Sequence, residues 1–570
     1  MYATIRLAEG LELKSTIGTN VINQRRDYFA AKGLQYISNN GDASVVNNRY
    51  NSWQFENYLT YHKEFKTIHS LNAMAGLSWQ HVDRFENIAT TQGFDDTYFQ
   101  FNNLGAGASP QAPSSLGTAY GLNSYFARLN YGLMNKYLIT FTGRLDGSSK
   151  FGEANRFAFF PSAAVAWRVT EEQFMQDIPA ISNLKIRASY GATGNSEIPA
   201  YRALAGMANN ISGQVDYSVI FNGARNIGTG ISRMANPNLQ WEKTQQVDFG
   251  VELGLFSNRI SFELDLYRRK VNDMLLDAPL PLSSGYRSIY SNIGSMQNKG
   301  IEFAINSTNL KIGDFSWNTT FNISVNKNEV LALSGGSDIY SGNGVIRVGA
   351  PVGSFFGRKH LGTWGSNEAE QAKKYNMLPG DVKYLDLNND GTINDNDRTI
   401  IGQGIPDGFG TFLNTFQFKG WSLTVDLQYM YGNDVLDRSI HSAEDRQGIA
   451  NSYKTVLNAW TETNQNTPIA QIRPISAYYT TNNDSHKVTD ASFIRGRNLL
   501  LAYTFPSTVT SKLKLDRLRV YGSVQNFFVA TKYHGYDPEV SNSGSPFDQG
   551  LGLYDYPKPR VFMLGLNIGL

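Results

Sequence analysis

Long runs of strict period-two alternation, joined by connections that take turns being short and long, restrict this chain's fold more than any other feature of its sequence. Val247, Phe249, Val251, Leu253 and Leu255 alternate with Asp248, Gly250, Glu252 and Gly254. Trp421, Leu423, Val425, Leu427 and Tyr429 alternate with Ser422, Thr424, Asp426 and Gln428, and Phe562, Leu564, Leu566, Ile568 and Leu570 share one face of the last run. Successive strand side chains point to opposite sides, so each run presents one apolar and one polar face. Many runs last ten residues or more. Globular strands average about five or six, whereas roughly ten tilted residues cross a bilayer.

Short turns fall at Glu9-Gly10, Phe65-Lys66, Met134-Asn135, Ser257-Asn258, Gly313-Asp314 and Lys419-Gly420, with intermediate ones over 169–182 and 506–515. Between them lie segments 24–50, 87–120, 149–155, 194–238, 277–296, 332–408, 434–491 and 531–556, most of them long. A soluble sandwich has no reason to sort its connections by parity. An outer-membrane barrel does, with short turns on the periplasmic rim and long loops outside. The reading is therefore all-β: a transmembrane antiparallel β-barrel over 1–570, with 332–408 and 434–491 long enough to fold as extracellular subdomains. Segment 170–182, with its acidic first turn, is expected to hold a short rim helix. Eight hairpins and a final strand give about 17 strands. Single-chain bacterial barrels have even numbers, and Met1–Arg6 has neither the basic nor the apolar region of a signal peptide. Both point to further strands upstream.

Composition narrows function. The 51 Lys+Arg nearly balance 49 Asp+Glu, so no basic excess argues for nucleic acid. The absence of Cys removes disulfides, thiolate catalysis and Cys-based metal sites. Neither a Walker loop nor a Gly-x-Ser-x-Gly elbow occurs. Glu252, Glu263, Asp265 and Glu302 could be read as a glycosidase pair, but inside a barrel they read as wet, lumen-lining charges. No catalytic residue is expected. The seven His are scattered; His62 and His69 near one turn do not make a metal motif. Trp364, Trp460 and Tyr478-Tyr479 could stack on a ligand or form the core of a loop subdomain.

The sharpest local motif runs from Asp386 to Asp397. Asp386, Asn388 and Asp390 supply oxygens at positions 1, 3 and 5, Gly391 sits at 6, Ile393 at 8 and Asp397 at 12. This is the spacing of an EF-hand-type loop, in which calcium gathers six to eight hard oxygens. Asp386, Asn388, Asp390 and Asp397 would coordinate by side chain and Thr392 by its carbonyl, pinning a long external loop. An Asp/Asn-rich solvated turn has the same composition.

Several stretches then resemble the SusC/RagA group of TonB-linked outer-membrane receptors. They are Asp146-Gly-Ser-Ser-Lys-Phe-Gly152, Pro161-Ser-Ala-Ala-Val-Ala-Trp-Arg168, Leu184-Lys-Ile-Arg-Ala-Ser-Tyr-Gly-Ala-Thr-Gly-Asn195 and Asn236-Pro-Asn-Leu-Gln-Trp-Glu-Lys243. Asn298-Lys-Gly-Ile-Glu302, Gly380-Asp-Val-Lys-Tyr384 and Gly535-Tyr-Asp-Pro-Glu539 follow in the same order. The resemblance implies a 22-stranded barrel with an N-terminal plug, so that plug, TonB box and first strands would precede residue 1. It also implies a SusD-like surface lipoprotein as lid, TonB-ExbB-ExbD as energy source, and import of oligosaccharide or peptide through the outer-membrane lipid. A passive porin and a calcium-dependent, carbohydrate-binding surface adhesin are the rival readings.

Overall fold

The computed structural model describes all residues except 34–40, 67, 209, 212–214, 217, 227, 287, 445–450, 474–482, 541–544 and 546. Seventeen strands of seven residues or more occur among the described residues, matching the sequence count. They are β1 (Tyr2–Ala8), β2 (Leu11–Ala30), β3 (Asp42–Phe65), β4 (His69–Gln92), β5 (Ser114–Leu133), β6 (Tyr137–Ser148), β7 (Phe157–Arg168), β8 (Ile181–Asn195), β9 (Glu242–Leu255) and β10 (Ile260–Asn272). Then follow β11 (Ser295–Ile312), β12 (Phe315–Ala332), β13 (Gly408–Phe418), β14 (Trp421–Tyr431), β15 (Phe493–Thr504), β16 (Arg517–Thr531) and β17 (Val561–Gly569). All eight hairpin turns lie where the alternation placed them. No described helix is long and apolar enough to cross a membrane.

The chain divides into two units. Unit 1 comprises Met1–Trp167, Ala188–Gln246 and Val271–Ile293. In it β1 to β7 pair in chain order, each antiparallel to the next. Unit 2 comprises Arg168–Arg187, Val247–Lys270 and Gly294–Leu570, and β11 to β17 form a similar antiparallel meander. Turn chemistry fits these hairpins. Lys419 and Gly420 both have positive φ, the backbone that matches strand twist in a two-residue turn, and Met134 and Asn135 share it in the three-residue turn between β5 and β6. A Cβ on Gly420 would stand 2.6 Å from the Thr504 carbonyl oxygen, so only glycine fits there.

Burial shows which solvent each face meets. On the apolar faces Phe141 is 53% exposed, Val165 53%, Phe249 43% and Leu501 48%. A sandwich would bury such residues; a wall facing lipid leaves them bare of protein. The polar faces bond across strands instead, Thr140 to Asn130 at 2.9 Å, Thr320 to Asn306 at 2.8 Å and Asn322 to Thr411 at 2.7 Å. Most of the large apolar side chains that are fully buried, such as Leu239, Val345, Ile346, Phe355, Val435 and Leu436, lie in the long connections; Val330, near the end of β12, is the exception among the described residues.

Two expectations are revised. Segments 24–50 and 87–120 begin and end in strand: β2 and β3 pair without interruption from Leu11↔Tyr61 to Ala30↔Asp42, and β4 runs on to Gln92 while β5 starts at Ser114. The short helix expected over 170–182 is divided into two 3₁₀ turns, Val169–Glu171 and Gln173–Met175.

Candidate functional site

The long connections of unit 2 carry the motif residues. Ile339–Ser341, Gly344–Ile346, Ser354–Arg358 and Arg398–Gly402 form a four-stranded sheet. Asp434–Asp437 pairs antiparallel with Val488–Asp490 and parallel with Leu551–Gly552. The second sheet joins connections 432–492 and 532–560, and backbone bonds from Arg358 to Asn483 at 3.0 Å and from Asp434 to Gln403 at 2.7 Å tie in 333–407. Val435, Ala491, Tyr533 and Val540 form one small core; Trp364, Ala372 and Met377 form another, beside the helix α1 (Ala369–Lys374). Trp364 and Trp460 are buried, so they pack the loops together rather than present rings to a ligand. Tyr478-Tyr479 lies outside the described residues.

Buried ions lock this assembly. Arg495 donates to Asp537 at 2.7 Å and lies 3.0 Å from Glu539, with both Arg495 and Asp537 almost fully buried. His486 meets Glu444 at 2.8 Å and stacks on His360 at 5.1 Å. Lys487 pairs with Asp484 at 3.5 Å, and Tyr384 donates to the same carboxylate at 3.2 Å. Burial holds the Lys487 ammonium below its ordinary range and pushes the His360 imidazole down to about 4. At neutral pH His360 is therefore an uncharged ring.

The Asp386–Asp397 turn gathers its oxygens inward. The Asp386 carboxylate accepts the N–H groups of Asp390 at 3.2 Å and Gly391 at 2.9 Å. Asn388 accepts from the Asp390 N–H at 3.1 Å and donates back to its carboxylate at 2.8 Å. That amide, with the Thr392 N–H, holds the Asp390 carboxyl below its usual range. Asp397 is buried, its two oxygens accepting from Leu387 at 2.9 Å and Asn394 at 2.7 Å. Asn389 and Gly391 take positive φ to close the turn. Among the described residues no group of three or more Asp, Glu or His is arranged to hold a metal ion through those side chains alone. A cation here would need the Asn388 side chain and the Thr392 carbonyl as well.

Nearby, a recess of about 430 Å³ is lined by Ser354, Gln403, Asp434, Asp490 and Ser492 among others. Burial, with Asp490 and Asp407 close by, raises the Asp434 pKa. Sequence reasoning missed this recess because its walls come from two connections, 333–407 and 432–492, with no common motif.

Three of the four carboxylates expected on the wetted face of unit 2, Glu252, Glu263 and Asp265, surround one guanidinium, while Glu302 accepts from the Ser324 hydroxyl at 3.5 Å. Arg187 lies 2.7 Å from both Glu263 and Asp265 and 3.4 Å from Glu252, which also takes Lys185 at 2.9 Å. Occupied in this way, they form an ion network. In unit 1 the motif stretches converge on a dry junction: Phe151, Phe160, Ile198, Leu239, Trp241 and Leu275 form one core. The Trp241 indole donates to the Arg156 carbonyl at 2.8 Å, and Gly152 packs so tightly that a Cβ would stand 1.8 Å from the Pro237 carbonyl oxygen.

Residues 6–526 match the family described as TonB dependent receptor-like, beta-barrel. The chain belongs to that family of outer-membrane transport proteins, which are not enzymes. It is 36% identical to TonB-dependent receptor P3 of Formosa agariphila over 586 aligned positions, covering 100% of this chain and 57% of the relative. It is 30% identical to TonB-dependent receptor SusC of Bacteroides thetaiotaomicron, covering 94% and 51%. The solved RagAB peptide transporter superposes with a TM-score of 0.83 at 29% identity, over 100% of this chain and 61% of that one. The chain thus spans little more than half the length of the curated relatives it matches. The fold is a transmembrane antiparallel β-barrel in the bacterial outer membrane.

Proposed function

We propose that the protein to which this barrel belongs imports oligosaccharide or peptide fragments, driven by TonB-ExbB-ExbD and capped outside by a SusD-like lipoprotein. The likeness to the RagAB peptide transporter along the whole chain carries this reading. The firmly packed loops of unit 2 support it, since a lid needs a rigid seat. Deleting the gene should abolish uptake of one fragment class, and loss of TonB should abolish it equally. Uptake that persists without TonB would instead favour the passive porin.

We further propose that Asp386, Asn388, Asp390, Thr392 and Asp397 hold a structural calcium ion. The hydrogen bonding supports this, as both Asp397 oxygens and Asp386 Oδ1 accept one N–H each and keep a lone pair, while Asp386 Oδ2 also accepts from the Tyr375 hydroxyl at 3.3 Å. Millimolar calcium should raise the unfolding temperature of the detergent-solubilised protein, and Asp386→Ala should cancel that rise. An unchanged temperature with and without chelator would refute the assignment.

A further inference from the structure

The outer, apolar face of unit 2 carries a groove of about 520 Å³ whose lining includes Val247, Phe249, Leu266, Ile301 and Val325. Its remaining lining includes Arg268, Lys299 and Lys327. Period two puts each cation on the same face as its apolar neighbour two residues away: Arg268 with Leu266, Lys299 with Ile301, Lys327 with Val325. Register places Lys299 opposite Lys327 and Ile301 opposite Val325, and Arg268 donates across to Gln297 at 3.2 Å. Three adjacent strands thus carry one row of cations directly beside one row of apolar side chains.

The cation row lies toward the ends that enter long connections, because β11 begins at Ser295 and β12 ends at Ala332. In outer-membrane barrels that rim faces the cell exterior. Like charges directly opposite one another on adjacent strands repel, yet Lys299 and Lys327 are so placed and exposed, with no carboxylate of the described residues at ion-pair distance. Glu329, on the same face, is taken by Gln297 at 3.1 Å. An anion bridging the two lysines would remove the repulsion, and the groove beside them suits hydrocarbon.

We infer that this band binds a phosphate-bearing lipid of the outer leaflet, of the lipopolysaccharide class, with acyl chains in the groove and phosphate on Arg268, Lys299 and Lys327. The test is retention of lipopolysaccharide by the full chain in detergent micelles, measured by native mass spectrometry after washing. Wild type should keep about one phosphorylated molecule per chain. Lys299→Ala/Lys327→Ala should keep at least fivefold less, Lys299→Arg/Lys327→Arg should keep it, and dephosphorylated lipid should bind like the alanine variant. Heat-modifiable gel migration establishes that each variant is folded. Equal retention by the alanine variant overturns the assignment. So does an equal loss in the control Lys63→Ala at a short-turn rim, or displacement of the lipid by millimolar inorganic phosphate alone.

Discussion

The long connections of unit 1 and those of unit 2 solve the same problem with opposite chemistry. Unit 1 closes its junction with aromatic and aliphatic side chains around Trp241, whereas unit 2 adds buried ion pairs around Arg495 and Asp484. Burying apolar surface is favourable without exact geometry. A buried ion pair repays its desolvation only when both partners are present. Unit 1 should therefore be robust to pH and sensitive to volume, and unit 2 the reverse.

The largest effect should come from Trp241→Ala, which empties the centre of the unit 1 core and removes the bond to Arg156. A loss of about 4 kcal/mol is expected in denaturant unfolding from micelles, with little change between pH 7 and pH 5. Next, Arg495→Met strands Asp537 and should cost about 3 kcal/mol, while the double variant Arg495→Met/Asp537→Leu should recover most of it. If the double variant is no better than the single, the charges are not what holds unit 2.

A pH titration sharpens the contrast further. The His360 pKa of about 4 in the folded chain lies below the unfolded value of about 6.5. Between these values the unfolded chain binds the extra proton. The stability that the neutral ring contributes is complete above about pH 6.5 and is lost as pH falls toward 4. Asp484, His486 and Lys487 face this ring, and Tyr384 packs edge-on against it. A loss of about 2–3 kcal/mol should appear as faster proteolysis of the unit 2 loops, and His360→Phe should flatten the profile. The smallest effect is expected from Lys558→Ala. Lys558 pairs with Glu539 at the exposed margin of the Arg495 cluster, so its loss should cost under about 1 kcal/mol and vanish in high salt.

The wall was readable in the sequence wherever one face meets lipid and the other water, because only that contrast writes period two. Where water reaches both faces the signal lapses. Gln24, Arg25 and Arg26 pair with Asn48, Asn47 and Val46 as ordinary strand, yet their polarity on both sides reads as loop. The Asp386–Asp397 turn was visible because its oxygens are local in sequence. The Asp484–His486–Glu444 cluster was not, because Glu444 lies 42 residues from His486 and its neighbours His360 and Tyr384 come from another connection. The aromatic Trp364 and Trp460 were ambiguous for the same reason, since sequence does not reveal whether a loop is thick enough to bury a ring.

Strands β3 and β4 are each 24 residues long, and a crossing takes roughly ten. Their turn at Phe65 is short, so the surplus extends the other way. Some fourteen residues at about 3.3 Å each, tilted near 45°, rise roughly 30 Å above the hydrocarbon core, about 25 Å of it clear of the headgroups. That part of unit 1 is a stiff palisade as tall as a small soluble domain. Antibodies, phage or a neighbouring lipoprotein would touch its hydrogen-bonded crest well before they reached the membrane.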